Sequence, residues 1–433
     1  MHELTPGSPA LRGLFLTLCA CAFVGLAPAF AVAQEPAVLL RGATLMTAVG
    51  PARVGDLLLQ GGKVAALGDG VVAPPGVRVI EAAGKFITPG LVDTHSHIGV
   101  YAFPTVGAHS DGNEMTDPIT PHVRARDSIL GADPAIARAW RGGVTTIQVL
   151  PGSGNAIGGE SAILKLRGGT ADAMIFEGAP RGLKMAMGEN PKRTYGARLK
   201  APMTRMGSAA VMREAFAKAK AWGEDLARWT RGPMKDPPPV ADLRTKTLAE
   251  VLAGNVRVHV HGYLPHDFLT LFRIADEFGF RIATLQHALE GHRIAAEIKR
   301  RGIGVATFAD LWGYKHEMYG GRPDNAALLH RAGVRVAIQS DHPVIEQRWL
   351  ALEAAKASRF GLGDDEALRA VTLNPAWMLG LDGRIGSLEV GKDADVALWT
   401  AHPFTIGARV EELFIEGRSI HRAVPPPAAA ANP

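Results

Sequence analysis

The segment Phe86-Ile-Thr-Pro-Gly-Leu-Val-Asp-Thr-His-Ser-His97 decides which fold this 433-residue chain is expected to adopt. Its Pro-Gly pair is a turn signal, and the apolar pair Leu91 and Val92 predicts the end of a buried strand. His95 and His97 follow at a spacing of two, and side chains two apart on a strand point to the same face. Because imidazole is the commonest metal ligand, this spacing predicts that both histidines bind one ion at the tip of a strand.

The run from Pro89 to His97 resembles the first-strand signature of the amidohydrolase superfamily, and within it the imidazolonepropionase-like and prolidase-like branch. These are metal-dependent hydrolases built on a (β/α)8 barrel. The resemblance extends over nearly the whole chain after its first 33 residues. It therefore implies an α/β protein with a TIM barrel and a metal site at the carboxyl ends of the barrel strands.

The composition is that of an ordinary globular protein, with 47% hydrophobic and 21% charged residues. The net charge of +5 is only mildly basic. Lysines and arginines are scattered along the chain, so we expect no nucleic-acid partner. The expected partner is a small-molecule substrate, and self-association into a homo-oligomer is compatible with the sequence.

Residues 1–33 have the organisation of a signal peptide. Arg12 precedes an apolar run over residues 14–30, and small residues lead up to Ala33. We expect cleavage near Ala33, an exported chain in the periplasm or outside the cell, and no stable membrane anchor. An uncleaved anchor and lipidation at Cys21 are alternatives that the pattern favours less.

The cysteines bear on the kind of metal site. Cys19 and Cys21 are the two cysteines of the chain, and both lie inside the expected signal peptide. The mature chain can therefore form no disulfide and no thiolate-ligated zinc site. Its metal ligands must be His, Asp, Glu or modified Lys.

The chain is expected to contain two structural units after the signal. Short apolar runs broken by Gly and Pro in residues 34–85 and 383–423 predict strands of one composite β-sandwich. The barrel is expected over residues 86–382, and the Pro- and Ala-rich tail, residues 424–433, is expected to be disordered.

Between the two ends, eight apolar segments alternate mostly with helical patterns, as a (β/α)8 barrel requires. The expected barrel strands are residues 86–92, 144–150, 162–166, 182–187, 256–261, 281–286, 303–307 and 334–339. The clearest expected helices are residues 134–141, 209–227 and 325–332.

Further metal-ligand candidates stand at the ends of these strands. His259 and His261 end the fifth strand, His287 follows the sixth, and Asp341 follows the eighth. The resemblance implies that His259 is a metal ligand together with His95, His97, His287 and Asp341. His261 points the same way and is expected to contact substrate, or else to be a plain polar residue at the barrel mouth.

Lys184 on the fourth strand bears on the number of ions. Many members of the superfamily carry a carboxylated lysine here, and its carbamate bridges two ions, because an unmodified ammonium cannot ligate a cation. Glu160 and Glu189 are the alternative ligands in this region. We expect a divalent metal, taken to be zinc, with two ions if Lys184 is carboxylated and one otherwise.

The resemblance also implies a mechanism. A metal-bound hydroxide would attack a carbonyl carbon, and Asp341 would act first as general base and then as general acid towards the leaving nitrogen. The expected reaction is hydrolysis of a C–N bond in an amide, a cyclic amide or a dipeptide-like compound. The alternatives are a barrel that only binds a metal or solute, and an isomerase or lyase on the same scaffold.

Substrate contacts are expected from polar residues near the strand ends. Cations just past the fourth strand suit a carboxylate-bearing substrate, although a solvated basic loop would show the same pattern. The candidate substrate-binding residues are Tyr101, His261, Lys192, Arg193, Tyr195, Arg205 and His342.

Overall fold

The computed structural model describes residues 37–424. The expected signal peptide, residues 1–33, and nearly all of the expected tail, residues 424–433, lie outside this range. None of the helices in the described range is both long and apolar enough to cross a membrane.

The strands of the described range fall into an N-terminal group, a barrel group and a C-terminal group. They are β1 Val38–Leu45, β2 Arg53–Gln60, β3 Lys63–Gly68, β4 Arg78–Glu81, β5 Phe86–Pro89, β6 Leu91–Ser96, β7 Val144–Val149, β8 Ile157–Lys165, β9 Arg181–Ala186, β10 Val256–Gly262, β11 Ile282–His287, β12 Gly304–Thr307, β13 Val336–Ile338, β14 Val396–Trp399, β15 Val410–Ile415 and β16 Arg418–Arg422.

The helices of the described range lie between the first barrel strand and the C-terminal strands. They are α1 Pro134–Arg141, α2 Ala171–Met174, α3 Glu189–Gly196, α4 Arg205–Arg231, α5 Leu243–Leu252, α6 Pro265–Phe278, α7 Ala295–Arg300, α8 Asn325–Arg331, α9 Leu350–Ala357, α10 Asp364–Arg369 and α11 Leu373–Leu379. The three helices expected from the sequence correspond to α1, α4 and α8.

Strands from both ends of the chain form one eight-stranded sheet, in the order β16-β15-β14-β5-β1-β2-β3, with β4 beside β1. The two ends are joined directly, because β14 pairs antiparallel with β5. Apolar side chains from both ends, among them Leu40, Leu57, Leu398 and Phe414, share one buried cluster. The ends therefore meet as expected. Their arrangement as a sandwich of two sheets stays a prediction.

The barrel sheet contains β6 to β13, each beside its neighbour in the chain. Its two outer strands approach each other at their carboxyl ends. There Ser96 bridges to His342, and the N–H of Asp341 donates to the carbonyl of His95 at 2.9 Å. The predicted α/β fold with an eight-stranded TIM-like barrel is confirmed. The near-closure of the barrel also places residues 95 and 341 side by side.

One barrel strand runs against the expected direction. β8 is antiparallel to both β7 and β9, whereas a regular (β/α)8 barrel has all strands parallel. The reason is the connection, since residues 150–156 are too few for a crossover, which needs about a dozen or more. The amino end of β8 therefore lies at the barrel mouth, beside the carboxyl ends of its neighbours.

The expected first barrel strand, residues 86–92, is in fact divided between the two sheets at Gly90. β5 pairs with β1 and β14 in the composite sheet, while β6 pairs with β7 in the barrel. A Cβ atom at Gly90 would lie 2.2 Å from Oγ1 of Thr145. Only glycine therefore fits where the chain passes from one sheet to the other.

Candidate metal centre

Three barrel strands bring their terminal side chains to one point. Nε2 of His95 and Nε2 of His97 lie 3.2 Å and 3.1 Å from the same atom, Oδ1 of Asp341. His287 joins His95 and Asp341 in a group whose ligand atoms all lie within 4.8 Å of one another. All four side chains are buried. The structure therefore brings together the candidates from the first, sixth and eighth barrel strands.

In His95 and in His97, the ring nitrogen that faces away from Asp341 already has a hydrogen-bond partner. Nδ1 of His95 lies 3.2 Å from Oε1 of Gln286, and Nδ1 of His97 lies 2.7 Å from the carbonyl of Leu150. A carbonyl oxygen can only accept, so both Nδ1 atoms carry the proton. In the neutral rings, each Nε2 then presents its lone pair to Asp341. Such fixing of the far ring nitrogen is the usual support of a metal-ligating histidine.

Burial and neighbouring charges shift the pKa values of several of these groups. It lowers the pKa of His95 well below its usual range, with a further contribution from Lys184. It also lowers the pKa of His287 to about 3. Burial alone would raise the pKa of Asp341, but the close contact with the His97 ring and nearby positive charges outweigh it and leave the pKa below its ordinary value. At neutral pH the site therefore holds a carboxylate together with the neutral imidazoles of His95 and His287.

This arrangement fits a divalent cation. Two ring lone pairs and a carboxylate oxygen face one another at about 3 Å, and a cation between them turns that repulsion into attraction. Nitrogen and oxygen ligands without thiolate suit zinc as well as other transition metals. The residues that could hold the ion are His95, His97, His287 and Asp341.

Lys184 lies beside this centre on β9. Its side chain is fully buried, and Nζ is 3.3 Å from Nε2 of His95 and 3.1 Å from the carbonyl of Pro151. Burial lowers the pKa of Lys184 to about 8, so a substantial fraction of the amine is neutral near physiological pH. The neutral amine is the nucleophilic form. The position and the chemistry are both compatible with carboxylation.

The two alternative ligands of this region have other partners. Glu160 accepts two hydrogen bonds from Arg181, at 3.0 Å and 2.6 Å. Glu189 forms an ion pair with Lys315 at 3.3 Å. Lys184 is thus the candidate of the three whose side chain reaches the histidines.

Both histidines of β10 are buried and face the site. His259 stands in register with Lys184 on the neighbouring strand. The ring of His261 lies 4.5 Å from that of His287, and its Nε2 lies 3.2 Å from Nδ2 of Asn190. In each ring Nδ1 is buried, with no hydrogen-bond partner among residues 37–424. Nδ1 of His259 is therefore free to bind an ion, whereas Nδ1 of His261, whose Nε2 accepts from Asn190, is free to donate to a substrate.

The candidate substrate-binding residues divide into two sets. Tyr101 is near the centre, with its ring 5.5 Å from that of His97. His342, which follows Asp341 directly, is also buried at the barrel mouth. Lys192 and Arg193 lie on α3, half-buried and exposed respectively. These four remain able to meet a substrate.

Tyr195 and Arg205 are held by protein partners instead. The hydroxyl of Tyr195 is buried and lies 2.7 Å from both the carbonyl of Asp117 and Oδ1 of Asn155. Arg205 donates to Asp267 at 2.9 Å and also contacts Glu317, and both of these carboxylates are buried. These contacts join α3 and α4 to neighbouring segments, and substrate binding by either residue stays a prediction.

Asp93 is a supporting residue that the sequence analysis missed. It is fully buried, and its carboxylate accepts from the N–H of His95 at 2.9 Å, from the hydroxyl of Ser340 at 2.6 Å and from the amide of Gln347 at 2.6 Å. Burial raises its pKa to about 6. Asp93 thereby ties the first strand end to the eighth. Its position two residues before His95, in the same segment as both histidines, was the feature of the sequence that could have indicated this role.

The backbone at two candidate ligands is strained. His287 and Asp341 have φ angles of 72° and 52°, in the left-handed region that non-glycine residues rarely adopt. Hydrogen bonds hold this conformation, from Asp341 N–H to the carbonyl of His95 and from Ala288 N–H to the carbonyl of Gly262, both at 2.9 Å. Strain of this kind is typical of functional sites.

A cavity of about 450 Å³ adjoins the centre on the side of β8. It lies between the loop after β6 and the hairpin that joins β7 to β8. Its lining includes Pro151, whose carbonyl accepts from Lys184, and the polar side chains of Asn113 and Glu114. The cavity therefore reaches Pro151, the neighbour of Lys184, while the candidate metal ligands themselves do not line it.

Comparison with known proteins shows a consistent similarity. A family model described as the amidohydrolase family matches residues 251–420. A solved structure of an amidohydrolase from Thermotoga maritima MSB8 is 38% identical, with a TM-score of 0.85, over 89% of this chain and 100% of that one.

Two sequence relatives extend the comparison. The amidohydrolase tasK of Hapsidospora irregularis is 34% identical over 84% of this chain, which spans only 39% of that relative's length. The imidazolonepropionase of Acidiphilium cryptum (strain JF-5) is 27% identical over 84% of this chain and 92% of its own.

Proposed function

The chain belongs to the amidohydrolase family, and from that premise we propose that it uses zinc at the candidate metal centre to hydrolyse an amide, a cyclic amide or a dipeptide-like compound. As a member it is a hydrolase that acts on carbon–nitrogen bonds, and its substrate is a small molecule. The proposal adds the metal, the kind of bond and the roles of individual residues. The observation that carries it is the convergence of His95 Nε2 and His97 Nε2 on Oδ1 of Asp341.

The residues of the centre have distinct roles in this proposal. His95, His97, His287 and Asp341, with His259 from the fifth strand, would hold the metal. When bound, a divalent ion polarises a carbonyl group and lowers the pKa of water. Asp341 is ionised at neutral pH, so it can accept a proton from the attacking water and then deliver it to the leaving nitrogen. The net reaction consumes one water and yields a carboxylic acid and an amine.

In this proposal, whether Lys184 is carboxylated determines whether the centre binds two ions or one. Its carbamate would supply two oxygen ligands next to His95, whereas the free amine supplies one nitrogen. We favour the carbamate because the amine is buried, has a lowered pKa and is closer to the histidines than any carboxylate of that strand region. Export, cleavage near Ala33 and self-association belong to the same proposal and rest on the sequence alone.

Metal removal and return test the proposal. The purified protein would be depleted with a chelator, reloaded with zinc, and assayed on a panel of N-acyl amino acids, lactams, cyclic imides and dipeptides. We expect hydrolysis of at least one member, to a carboxyl group and an amino group or, from a cyclic imide, an amide group, that disappears with the metal and returns with zinc.

Product identity separates the alternatives in that experiment. A chain that binds zinc but converts no member of a broad panel would be a binding barrel. Products with the mass of the substrate, or an alkene formed without uptake of water, would instead indicate an isomerase or a lyase.

A further inference from the structure

We propose that Lys315, assisted by Arg193, binds a carboxylate of the substrate beside the metal centre, so that the compound hydrolysed is an acid such as an N-acyl amino acid. This inference rests on the proposed hydrolytic function and names the charged group that the substrate carries. Lys315 lies in the loop between β12 and α8, at the carboxyl end of the barrel.

The ammonium of Lys315 is held close to the histidines. Its side chain is only 12% exposed, and Nζ lies 4.1 Å from the centre of the Tyr263 ring. That ring in turn stacks on His287 at 5.0 Å, with 15° between the planes. A lysine of this loop would ordinarily point into solvent. Here the ring of Tyr263 lies between the ammonium of Lys315 and His287, a candidate metal ligand.

A chain of two hydrogen bonds links Lys315 to His261. Nζ of Lys315 donates to Oδ1 of Asn190 at 3.2 Å, and Nδ2 of Asn190 donates to Nε2 of His261 at 3.2 Å. Lys315 therefore lies on the His261 side of the centre, away from the Asp93 support. A substrate whose carbonyl faces the metal centre could place a carboxylate a few bonds away near Nζ.

The charges on this side favour an anion. The ion-pair partner of Lys315 is Glu189, in the first turn of α3. Lys192 and Arg193 on the same helix have no ion-pair partner within the described part of the chain. Positive charges thus exceed negative ones among these four residues. The nearby buried Glu317 is compensated by Arg205. A buried ammonium with one carboxylate partner can form a further charge-assisted contact with a second carboxylate.

Arg193 lies four residues after Glu189 on α3, one helical turn from the ion-pair partner of Lys315. Burial lowers the pKa of Lys315, Glu189 and Glu317 oppose that shift, and the charge of Arg193 adds to it. Arg205 cannot take the same role, because its guanidinium is already bound by Asp267 and Glu317. The cations near the centre that have at most one carboxylate partner are therefore on α3 and on the β12–α8 loop.

Equilibrium binding tests this assignment without relying on turnover. Calorimetry would compare a panel of N-acetyl amino acids with their neutral carboxamides on the zinc-loaded protein. We expect at least one acid to bind at least about tenfold more tightly than its carboxamide, the ordinary strength of a buried charge-assisted contact. Lys315→Met should abolish that preference and leave carboxamide binding unchanged.

Three further variants make the test specific. Lys315→Arg keeps the charge and should retain part of the preference, and Arg193→Gln, at an exposed position, should reduce it. Lys299→Met removes an exposed lysine of α7 and should change nothing. Where a pair is hydrolysed, Lys315→Met should raise KM for the acid and change kcat by less than about threefold.

The possible results separate this inference from the hydrolytic function. Acids that bind through Lys315 but are not hydrolysed would support the carboxylate site and contradict the hydrolase proposal. Hydrolysis of carboxamides as readily as acids would overturn the carboxylate site alone. The carboxylate site would also be overturned if Lys315→Met weakened the binding of an acid and of its carboxamide equally. The same would follow if no acid in the panel bound more tightly than its carboxamide.

Discussion

Asp341 is the side chain whose change best separates catalysis from metal binding. Asp341→Asn keeps the size of the residue and can still accept a hydrogen bond, but an amide cannot shuttle a proton. If Asp341 is the general acid–base, kcat should fall by at least about 10²-fold. Metal content should fall less, because the histidines remain. Steady-state kinetics and metal analysis by mass spectrometry would measure both.

The exposed Asp236 in the loop after α4 provides a matched control. Asp236→Asn should alter neither turnover nor metal content. Full turnover in Asp341→Asn would remove this residue from the mechanism. Near-complete loss of metal would show that Asp341 acts chiefly as a ligand.

Lys184 is the residue on which the number of ions depends. If its carbamate bridges two ions, Lys184→Ala should lower the metal content from two ions per chain to one or none. Short carboxylic acids should then restore part of the activity by occupying the emptied position. A carbamate signal after incubation with ¹³C-bicarbonate, seen by NMR in the wild type and absent in the variant, would identify the modification directly.

Lys220 on the exposed face of α4 serves as the control for this substitution. Lys220→Ala should keep the wild-type metal content and the carbamate signal. Unchanged metal content and activity in Lys184→Ala would return the assignment to Glu160 or Glu189, despite their present ion pairs.

At the scale of single elements, the passage from β5 to β6 depends on one glycine. A methyl group at Gly90 would overlap the side chain of Thr145, with three of its atoms within 2.8 Å. We expect Gly90→Ala to lower the free energy of unfolding by about 1–3 kcal/mol, the usual effect of overpacking. Urea denaturation followed by circular dichroism would measure it.

Gly223, inside α4, is the opposite case. A Cβ at Gly223 would meet nothing within 4 Å, so Gly223→Ala should stabilise the protein by about 0.5–1 kcal/mol through helix propensity. A Gly90→Ala variant as stable as Gly223→Ala would mean that the two sheets can shift apart at this point at little cost.

At the scale of the whole molecule, a buried ion cluster joins the barrel to the composite sheet. Lys165 at the end of β8 is fully buried, and its Nζ lies 2.6 Å from Asp393, 3.2 Å from Asp395 and 3.1 Å from Glu416. These carboxylates belong to the C-terminal part of the chain. The cluster therefore holds together segments more than 200 residues apart, as the separation of 228 between Lys165 and Asp393 shows.

Removal of the central cation should destabilise the protein in a pH-dependent way. Lys165→Met removes the fully buried cation that these carboxylates share, so we expect a loss of about 3–5 kcal/mol at pH 7. Burial alone would raise the pKa of Asp393, but Lys165 and Lys63 outweigh it and leave that pKa below its ordinary value. The contribution of the pair is therefore present above the ordinary carboxyl range and lost as the pH falls. The penalty should hold from pH 7 down to the ordinary carboxyl range and shrink as the pH falls below 3.8, the ordinary pKa of an aspartate.

Lys63 offers a control on the same carboxylate. Its Nζ lies 2.6 Å from Asp393, but its side chain is 48% exposed. Lys63→Met should therefore change stability by less than about 1 kcal/mol, as is usual for exposed ion pairs. Equal penalties for the two variants in urea denaturation at pH 7, or a Lys165→Met penalty that does not depend on pH, would contradict this account.

The sequence by itself determined the class of fold and predicted most of the residues of the candidate metal centre. His95 and His97 could be placed on one face because side-chain direction along a strand is a local property. His287 and Asp341 could be added because the carboxyl ends of parallel barrel strands converge at one mouth. The paired ends of the chain were likewise foreseeable from short strands at both termini. These inferences needed only periodicity, turn signals and the family resemblance.

Tertiary structure alone decided the direction of β8, the division at Gly90 and the partners of the charged side chains. Strand direction and sheet membership depend on which neighbours the backbone pairs with, and no local pattern records that choice. Arg205 has two buried carboxylates as partners, whereas Lys315 is held between Glu189, Asn190 and Tyr263. These contacts join residues 62 to 125 positions apart, so only the folded chain shows how many carboxylate partners each cation has.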